Sequence, residues 1–219
     1  MEFSVAFGEH VLELDIPDGV WKPTPHGMHL GNMLRKLRFT GAHVLEIGTG
    51  CGIHAILIAR GEASALTLTD TDEMILEVAI HNLKKHHIDI SIQTAVADWT
   101  HVEGTFDAVV TNPPFGKANK TYRRYFIDTL ILDAHKLLNR GGRLIFVQSS
   151  MANIPKTLAQ MKENGMSVRI IGEASGPFRD YYFEDERFLL EIAEIPGAYT
   201  MIEGVYYERL IVLEGTLER

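Results

Sequence analysis

The sequence of 219 residues is poor in cysteine and has no long apolar segment. Cys51 is the only cysteine, so no internal disulfide can form and a reducing compartment is the expected environment. No run of about 18 or more apolar residues is present, so a membrane-spanning helix is not predicted. Residues 1–5 lack a basic region before an apolar stretch. No signal peptide is therefore predicted, and the expected location is the cytoplasm.

The sequence also lacks an excess of positive charge. Its 21 Lys and Arg are outnumbered by 29 Asp and Glu, for a net charge of -8, which argues against broad electrostatic contact with nucleic acid. The length and an ordinary hydrophobic content of 46% suit a single domain over residues 1–219. One local exception to the acidic balance is a basic cluster, which is either a solvated helix start or a basic rim beside a site: Lys117, Lys120, Arg123 and Arg124.

What the sequence does contain is a regular alternation of strands and helices from residue 42 onward. Strands are predicted at 44–47, 65–70, 90–97, 106–111, 143–147 and 167–172, and helices at 53–60, after Asp72, at 123–139 and at 154–164. Repeated strand–helix units predict a mostly parallel sheet that is covered on both faces. Two further strands, predicted at 188–195 and 205–213, would form an antiparallel edge.

The residues before this alternation are organised differently. Apolar residues alternate on both sides of Gly8, which predicts an N-terminal β-hairpin within residues 1–18. Residues 17–27 contain three prolines and two glycines, so an irregular connector is predicted there. A short helix is expected to follow at 28–37.

A glycine-rich loop, here called the glycine loop (residues 46–52), follows the first strand of the alternation. Gly48, Gly50 and Gly52 alternate in it, and glycine allows a tight turn and a close approach of a ligand to the backbone. In an open parallel sheet such a loop lies at the carboxyl edge, near the topological switch point. The dinucleotide fingerprint fails because Ile53 stands at its last glycine position, and the Gly-Lys-Ser/Thr of a Walker loop is absent.

Acidic residues end the next two strands. Asp70 follows Gly52 by 18 residues and can accept both hydroxyls of a ribose, although a helix-capping role is the simpler alternative. Asp98 can accept from an exocyclic amine, and Trp99 can pack on a purine. The alternative for this pair is a turn aspartate beside a core tryptophan.

The tetrapeptide Asn112-Pro113-Pro114-Phe115 follows the fourth strand. Neither proline donates a hydrogen bond, and each disfavours helical backbone in the residue before it, so a rigid extended loop is predicted. The loop presents one amide, unpaired carbonyls and one aromatic ring. Together these groups can hold a flat chemical group that carries an NH2.

These segments together resemble the S-adenosylmethionine-dependent methyltransferases of the Rossmann-like class I. Within that class the chain is similar to the small-domain group of amino-nitrogen methyltransferases, whose fourth motif is Asn-Pro-Pro-Tyr/Phe. Gly-Thr-Gly-x-Gly at 48–52, Asp98-Trp99 and the segment 206–213 are most similar to release-factor glutamine methyltransferases. The resemblance covers residues 20–175 and 205–214.

The resemblance implies an α/β fold with a mostly parallel seven-stranded sheet, an antiparallel C-terminal edge and a cofactor-binding core over residues 28–150. It also implies S-adenosylmethionine as cofactor, with Glu46 beneath its amino group, Asp70 on its ribose hydroxyls and Asp98 with Trp99 at its adenine. The complete set of implied cofactor-binding residues is Glu46, Gly48, Thr49, Gly50, Cys51, Gly52, Asp70, Asp98, Trp99 and Asn112.

The same resemblance places the acceptor at the catalytic tetrapeptide, residues Asn112, Pro113, Pro114 and Phe115. Asn112 and the Pro113 carbonyl would hold the acceptor NH2, and Phe115 would stack on its plane. An amide or aromatic amine is a poor nucleophile because its lone pair is delocalised. Orientation and electrostatics would therefore supply most of the rate, and no strong base is needed.

The acceptor itself stays open between three kinds of molecule. A glutamine side-chain amide in a protein is the first choice, a base amine such as that of adenine in RNA or DNA is the second, and a small molecule is the third. The basic cluster favours RNA, whereas the net charge of -8 and Asp98-Trp99 favour a protein. An alternative of another class is a non-catalytic cofactor-binding subunit, against which the intact tetrapeptide argues. The sequence leaves the oligomeric state open.

Other candidate residues give weaker signals. The pairs His26 and His29, and His86 and His87, lack a cysteine or carboxylate that would complete a coordination set, so no metal site is predicted. His26-Gly27 stands where many relatives have an acidic residue followed by Ser or Thr. Residues 173–204, here called the insertion segment, have no counterpart in the resemblance and are treated as a candidate substrate lid. Their aromatic residues either pack in the core or lid or contact the acceptor: Phe178, Tyr181, Tyr182 and Phe183.

Overall fold

The computed structural model of the protein describes residues 2–114 and 124–218, with the backbone alone at Trp99. The strands are β1 Glu2–Phe7, β2 His10–Asp15, β3 His43–Ile47, β4 Ala65–Asp70, β5 Ser91–Val96, β6 Phe106–Thr111, β7 Leu138–Ser149, β8 Met166–Pro177, β9 Thr200–Ile202 and β10 Val205–Leu217. The helices are α1 Pro25–Leu34, α2 Ile53–Arg60, α3 Glu73–Lys85, α4 Tyr125–Leu137, α5 Ile154–Glu163 and α6 Glu186–Ala193.

The main sheet has the strand order β5-β4-β3-β6-β7-β10-β8, and the short β9 also pairs with β10. The first five strands in this order are parallel to one another: β5, β4, β3, β6 and β7. Strand β10 runs antiparallel to its neighbours β7 and β8. The predicted mostly parallel α/β sheet with an antiparallel edge is confirmed, and β9 is an eighth strand beyond the seven expected. The strand order reverses between β3 and β6, which is where open α/β sheets bind ligands.

Both faces of the sheet are covered, as predicted. Successive residues of one strand point to opposite faces, so Val44 packs on one side and Leu45 on the other. The first face is covered by α1, α2, α3 and the N-terminal hairpin, and the second face by α4 and α5. No described helix is long and apolar enough to cross a bilayer.

The N-terminal hairpin is confirmed, and a buried amide is among the groups that join it to the body of the fold. Strands β1 and β2 pair antiparallel, and the hairpin places Phe7, Leu12 and Leu14, all fully buried, in the core. The Nδ2 atom of Asn82 in α3 donates to the carbonyls of Asp15 and Cys51 at 3.1 and 2.9 Å. This one side chain joins the hairpin, α3 and the glycine loop.

Helix α1 begins earlier than expected. The prediction placed an irregular connector at 17–27 and the helix at 28–37, whereas α1 spans Pro25–Leu34. Thr24 is its N-cap, and its side chain accepts from the backbone N–H of Gly27. Proline is compatible with the first helical turn because the N–H it lacks has no partner there. Pro25, the last proline of the predicted connector, therefore marks the start of the helix.

The predicted strand at 188–195 is wrong, because this segment forms α6. The side chain of Asp185 caps the helix by accepting from the backbone N–H of Phe188 at 3.1 Å. Phe188 and Ile192 are buried and lie four residues apart, which is helical spacing. A short apolar run is compatible with either a strand or a helix. The capping contact and the tertiary packing decide between the two.

The helix predicted at 123–139 ends earlier than expected, and the strand predicted at 143–147 begins earlier. Helix α4 ends at Leu137, and β7 begins at the next residue and contains Gly141 and Gly142. Leu138 already pairs with Phe106 of β6, so pairing to the neighbouring strand ends the helix before the glycines are reached. Of the four aromatic residues expected in the insertion segment, Phe178 and Tyr182 are buried in a small cluster with α6, Tyr181 packs against this cluster and is partly buried, and Phe183 is half exposed.

Gly31 is a close-contact position between α1 and the hairpin. A Cβ atom there would lie 2.5 Å from Cε1 of Phe7 and 3.2 Å from Cδ1 of Leu57. Gly31→Ala gains about 1 kcal/mol of helix propensity, but overpacking a buried site costs about 1–3 kcal/mol. We expect a net loss of about 1 kcal/mol in the free energy of unfolding, measured by urea titration.

The control for this substitution is Gly176→Ala in β8. A Cβ atom at Gly176 would meet nothing within 4 Å, and the backbone there does not have a positive φ. The unfolding free energy should change by less than about 0.5 kcal/mol. Equal stability of the two variants would contradict the contact between α1 and Phe7.

Candidate active site

The candidate site lies at the carboxyl edge of the sheet, where the strand order reverses between β3 and β6. The hydroxyl of Thr111 at the end of β6 donates to the carbonyl of Ile47 at the end of β3, at 2.9 Å. This contact fixes the glycine loop, which follows β3, next to the tetrapeptide, which follows β6. Two motifs that are 60 residues apart in sequence are therefore neighbours.

The glycines of the loop have two different roles. Gly48 and Gly50 have φ values of 69° and 53°, which favour glycine, and a Cβ atom at either would meet nothing within 4 Å. The space above them is open to a ligand. Gly52 also has a positive φ, but a Cβ atom there would lie 3.0 Å from Cα of Ala79. Gly52 allows close packing of α2 on α3.

Glu46 is a buried carboxylate at the base of the glycine loop, with 1% of its surface exposed. Its Oε2 accepts from the hydroxyl of Thr49 at 2.7 Å. Its Oε1 has no hydrogen-bond partner among the described residues, and the imidazole Nδ1 of His54 lies 3.4 Å away. A buried carboxylate oxygen without a donor is costly, so this atom is suited to receive a positively charged group.

Cys51 is part of the framework of the loop. Its carbonyl accepts from Asn82, as described above, and its side chain is buried. Burial raises the pKa of the Cys51 thiol to about 11, so the thiol is neutral at physiological pH. It is unsuited to a role as a nucleophile.

Asp70 supports the backbone of the glycine loop from the end of β4. Its Oδ2 accepts from the N–H of Gly50 at 3.1 Å and its Oδ1 from the N–H of Thr71 at 2.8 Å. Helix α3 is capped by Asp72, whose carboxylate accepts from Met74, so Asp70 is not the capping residue. A carboxylate oxygen has two lone pairs, which leaves acceptor capacity on Asp70 for the hydroxyls of a ligand.

Asp98 has the turn role that was considered for it, and its predicted contact with adenine stays a prediction. It caps the short 3-10 turn Trp99–His101 by accepting from the N–H of Thr100 at 2.9 Å. The hydroxyl of Thr100 and then the ring of His101 hold the pKa of the Asp98 carboxyl below its usual range. The N–H of Ala97 donates to the carbonyl of Asp70 at 3.0 Å. Asp98 is therefore an ionised group near Asp70.

Asn112 lies against the first turn of α1. A Cβ atom on Gly27 would lie 3.3 Å from Nδ2 of Asn112 and 3.6 Å from Cε1 of His54. Asn112 is half-buried, Pro113 is buried and Pro114 is exposed. The absence of a side chain at residue 27 leaves room beside the amide of Asn112.

His54 is a site residue that the sequence analysis did not identify. Its Nε2 lies 2.9 Å from the carbonyl oxygen of Gly27, and its Nδ1 faces Glu46. It therefore connects α1 to the base of the glycine loop. A single polar residue in the otherwise apolar start of α2 was the signal available in the sequence.

His26 joins the insertion segment to α1, next to Gly27. Its Nδ1 contacts the guanidinium of Arg179, and its Nε2 lies 3.5 Å from Oε2 of the buried Glu208. The hydroxyl of Tyr182 donates to Oε1 of Glu208 at 3.4 Å, and burial raises the pKa of Tyr182. The insertion segment is thus held beside the site through Arg179 and Tyr182, which meet His26 and Glu208.

Some predicted site residues lie outside the described residues: Phe115, the side chain of Trp99, and Lys117, Lys120 and Arg123 of the basic cluster. Their roles stay predictions. The fourth member of the cluster, Arg124, is buried and forms an ion pair with Asp128 at 2.6 Å. It also donates to Thr157 at 3.0 Å. Arg124 is therefore neither a solvated helix start nor part of an exposed basic rim.

The residues present fit S-adenosylmethionine on three observations. Open space lies above Gly48 and Gly50, which leaves the loop backbone accessible. The buried Oε1 of Glu46, which has no hydrogen-bond partner within the part of the chain that the structure describes, suits an ammonium group. Asp70 keeps acceptor capacity for hydroxyl groups at the same sheet edge.

Comparison with known proteins agrees with this geometry. The family model "Methyltransferase small domain" matches residues 29–174. The ribosomal RNA small subunit methyltransferase C of Actinobacillus pleuropneumoniae is 35% identical over 116 residues, which cover 52% of this chain and 35% of that protein. A candidate protein N5-glutamine methyltransferase of Methanocaldococcus jannaschii is 26% identical over 152 residues, covering 63% of this chain and 77% of that protein.

Solved structures show the same fold. The 16S rRNA N2 G1207 methyltransferase of Thermus thermophilus, in complex with AdoMet and guanosine, superposes with a TM-score of 0.62 at 18% identity, covering 99% of this chain and 50% of that chain. A candidate RNA methyltransferase of Pyrococcus horikoshii gives a TM-score of 0.64 at 15% identity and covers 93% of both chains. The chain belongs to the methyltransferase small domain family, a family of S-adenosylmethionine-dependent methyltransferases with a Rossmann-like sheet.

Proposed function

We propose that this protein transfers the methyl group of S-adenosylmethionine to a planar NH2 nitrogen. The observation that carries the proposal is the position of Asn112 at the switch point. The amide of Asn112 lies beside Gly27. Asn112 directly follows Thr111, whose hydroxyl donates to the carbonyl of Ile47. An amide and an open glycine loop at one sheet edge suit an acceptor and a cofactor that meet there.

The cofactor supplies an electrophilic methyl group, and the residues of the chain bind and orient the two reactants. In this proposal the glycine loop, Glu46 and Asp70 hold the cofactor. The side-chain oxygen of Asn112 and the carbonyl of Pro113 accept the two acceptor hydrogens, which aims the nitrogen lone pair. In this proposal orientation is the main contribution to rate, and the proton of the acceptor nitrogen leaves after the transfer.

Our first choice of acceptor is a glutamine side-chain amide in a protein. The relative from Methanocaldococcus jannaschii supports this choice, since this chain covers 77% of its length. The net charge of -8 and the burial of Arg124 in an ion pair also favour an acceptor other than a polyanion. A planar amide suits a site whose acceptors are one carbonyl and one amide oxygen.

A base amine in RNA is the second candidate, and a specific observation favours it. The relatives named as ribosomal RNA small subunit methyltransferase C reach 35% identity, which is higher than the 26% of the glutamine relative. The structure from Thermus thermophilus holds guanosine. This chain spans about a third of the length of the curated ribosomal RNA relatives, so their substrate is carried over as an alternative only.

The acceptor class is tested by incubating the whole protein with methyl-labelled S-adenosylmethionine and separate pools of protein, RNA and metabolites. Label in glutamine of a protein is the expected result. Label in a base amine would replace the first choice with the second. Binding of the cofactor without label in any pool would contradict an enzymatic role and favour a scaffold subunit.

Asp70→Ala should weaken binding of S-adenosylmethionine about 10- to 100-fold, because hydrogen bonds to a charged acceptor are lost. Isothermal calorimetry measures the change. Asp72→Ala is the matched control, since Asp72 caps α3 two residues away and should leave the affinity within about twofold. Unchanged affinity in Asp70→Ala would remove Asp70 from the cofactor site.

Asn112→Ala should lower turnover about 100-fold or more, as expected when a group that stabilises the transition state is removed. Cofactor affinity should stay within about threefold. The matched control is Asn139→Ala, because Asn139 donates to Asp107 at the opposite end of β6, at 2.9 Å. Turnover near that of the unaltered protein in Asn112→Ala would refute the amino-nitrogen mechanism.

A further inference from the structure

Glu46 and His54 form a buried pair, and the atoms that face each ring nitrogen of His54 indicate which of them carries a proton. His54 is 5% exposed and Glu46 is 1% exposed. The Nε2 of His54 faces the carbonyl oxygen of Gly27 at 2.9 Å. A carbonyl only accepts hydrogen bonds, so Nε2 carries a proton.

The other ring nitrogen of His54 faces a second acceptor. Nδ1 lies 3.4 Å from Oε1 of Glu46, and Oε1 has no hydrogen-bond partner among the described residues. If His54 were neutral and Glu46 ionised, two lone pairs would face each other in a buried site, which is unfavourable. One additional proton on the pair removes this conflict, as an imidazolium opposite a carboxylate.

The other charged or titratable groups around the pair have different partners. On α1, His26 contacts Arg179 and Glu208. On β4, Asp70 accepts from the N–H groups of Gly50 and Thr71. In the glycine loop, burial raises the pKa of the Cys51 thiol to about 11, so it stays neutral. The neighbouring group from β6 is the uncharged amide of Asn112.

We propose that Glu46 and His54 share one extra proton in the cofactor-free protein, and that an ammonium group arriving at Glu46 replaces it. Binding of the amino-acid end of S-adenosylmethionine then breaks the N–H bond at Nδ1 and releases one proton to solvent. His54 becomes neutral and keeps its Nε2–H bond to Gly27. His54 is thus a positioning residue, which acts on the cofactor through Glu46 and holds α1 beside Asn112.

This inference rests on the proposed cofactor site and extends it with a regulatory property. A site that exchanges a proton for an ammonium group binds its ligand more tightly as pH rises, with a slope set by the number of protons released. Between pH 6 and pH 7 we expect the affinity of the whole protein for S-adenosylhomocysteine to rise about three- to tenfold. A free α-amino group titrates near pH 8, so the ligand stays cationic over this range.

The release itself is measured by calorimetry in two buffers of different ionisation enthalpy at pH 6.5. For S-adenosylhomocysteine the binding heats in the two buffers should differ by up to the full difference between the buffer ionisation enthalpies, which corresponds to one proton released. Methylthioadenosine lacks the amino-acid end, so its heat should be the same in both buffers. Equal heats for S-adenosylhomocysteine, or the same release with methylthioadenosine, would overturn the inference.

The variant His54→Gln separates the charge of His54 from its contact with α1. Glutamine can still donate to the carbonyl of Gly27 but does not titrate. The rise in affinity from pH 6 to 7 should fall below about twofold, and the buffer dependence should vanish. His26→Gln removes the neighbouring histidine and should keep both effects. If His26→Gln abolishes them and His54→Gln does not, the proton comes from His26 and the inference is wrong.

A second measurement needs no substitution. In ¹⁵N-histidine spectra of the cofactor-free protein at pH 6.5, both ring nitrogens of His54 should be protonated, and Nδ1 should lose its proton when S-adenosylhomocysteine is added. A neutral His54 before addition would overturn the inference. Binding without proton release refutes this coupling alone, whereas the absence of any binding refutes the proposed function as well.

Discussion

The parallel pairing of β3 with β6 is the constraint on which the rest of the site depends. Val44 pairs with Ala108 and Ile47 with Thr111, and the two strands bury alternate side chains on both faces of the sheet. A shift of one residue would turn every side chain to the wrong face. The register therefore holds both carboxyl ends at one level, and Thr111 ties them together through the carbonyl of Ile47.

Polar groups at this edge are held by a framework of buried side chains. Glu46 and Thr49 are bonded to each other within the glycine loop, His54 faces Glu46 from α2, and Asp70 supports the loop backbone from the end of β4. Each is fixed before a ligand arrives, so little conformational entropy is lost on binding. The exception is Oε1 of Glu46, which faces His54 but has no hydrogen-bond partner among the described residues. An incomplete hydrogen-bond set at a buried charge suits a site that gains stability from a cationic ligand.

The first turn of α1 connects the two halves of the site. It contacts His54 through the carbonyl of Gly27 and the insertion segment through His26. The insertion segment has its own small aromatic cluster, which includes Phe178 and α6. Because α1 lies between the cofactor side and this segment, its position sets the space beside Asn112. The segment's predicted role as a substrate lid stays a prediction.

The sequence by itself determined the alternation of strands and helices, the glycine loop and the two acidic strand ends, because periodicity, glycine and proline act locally. It also placed α2, β4 and β6 at their observed boundaries. Only the tertiary structure showed that residues 186–193 form a helix, that Gly52 packs closely on Ala79, that Asp98 caps a turn, and that Arg124 is buried. The contacts of His54 with Glu46 and Gly27 likewise join three separate elements. Such outcomes depend on contacts between residues far apart in the chain, which local patterns do not encode.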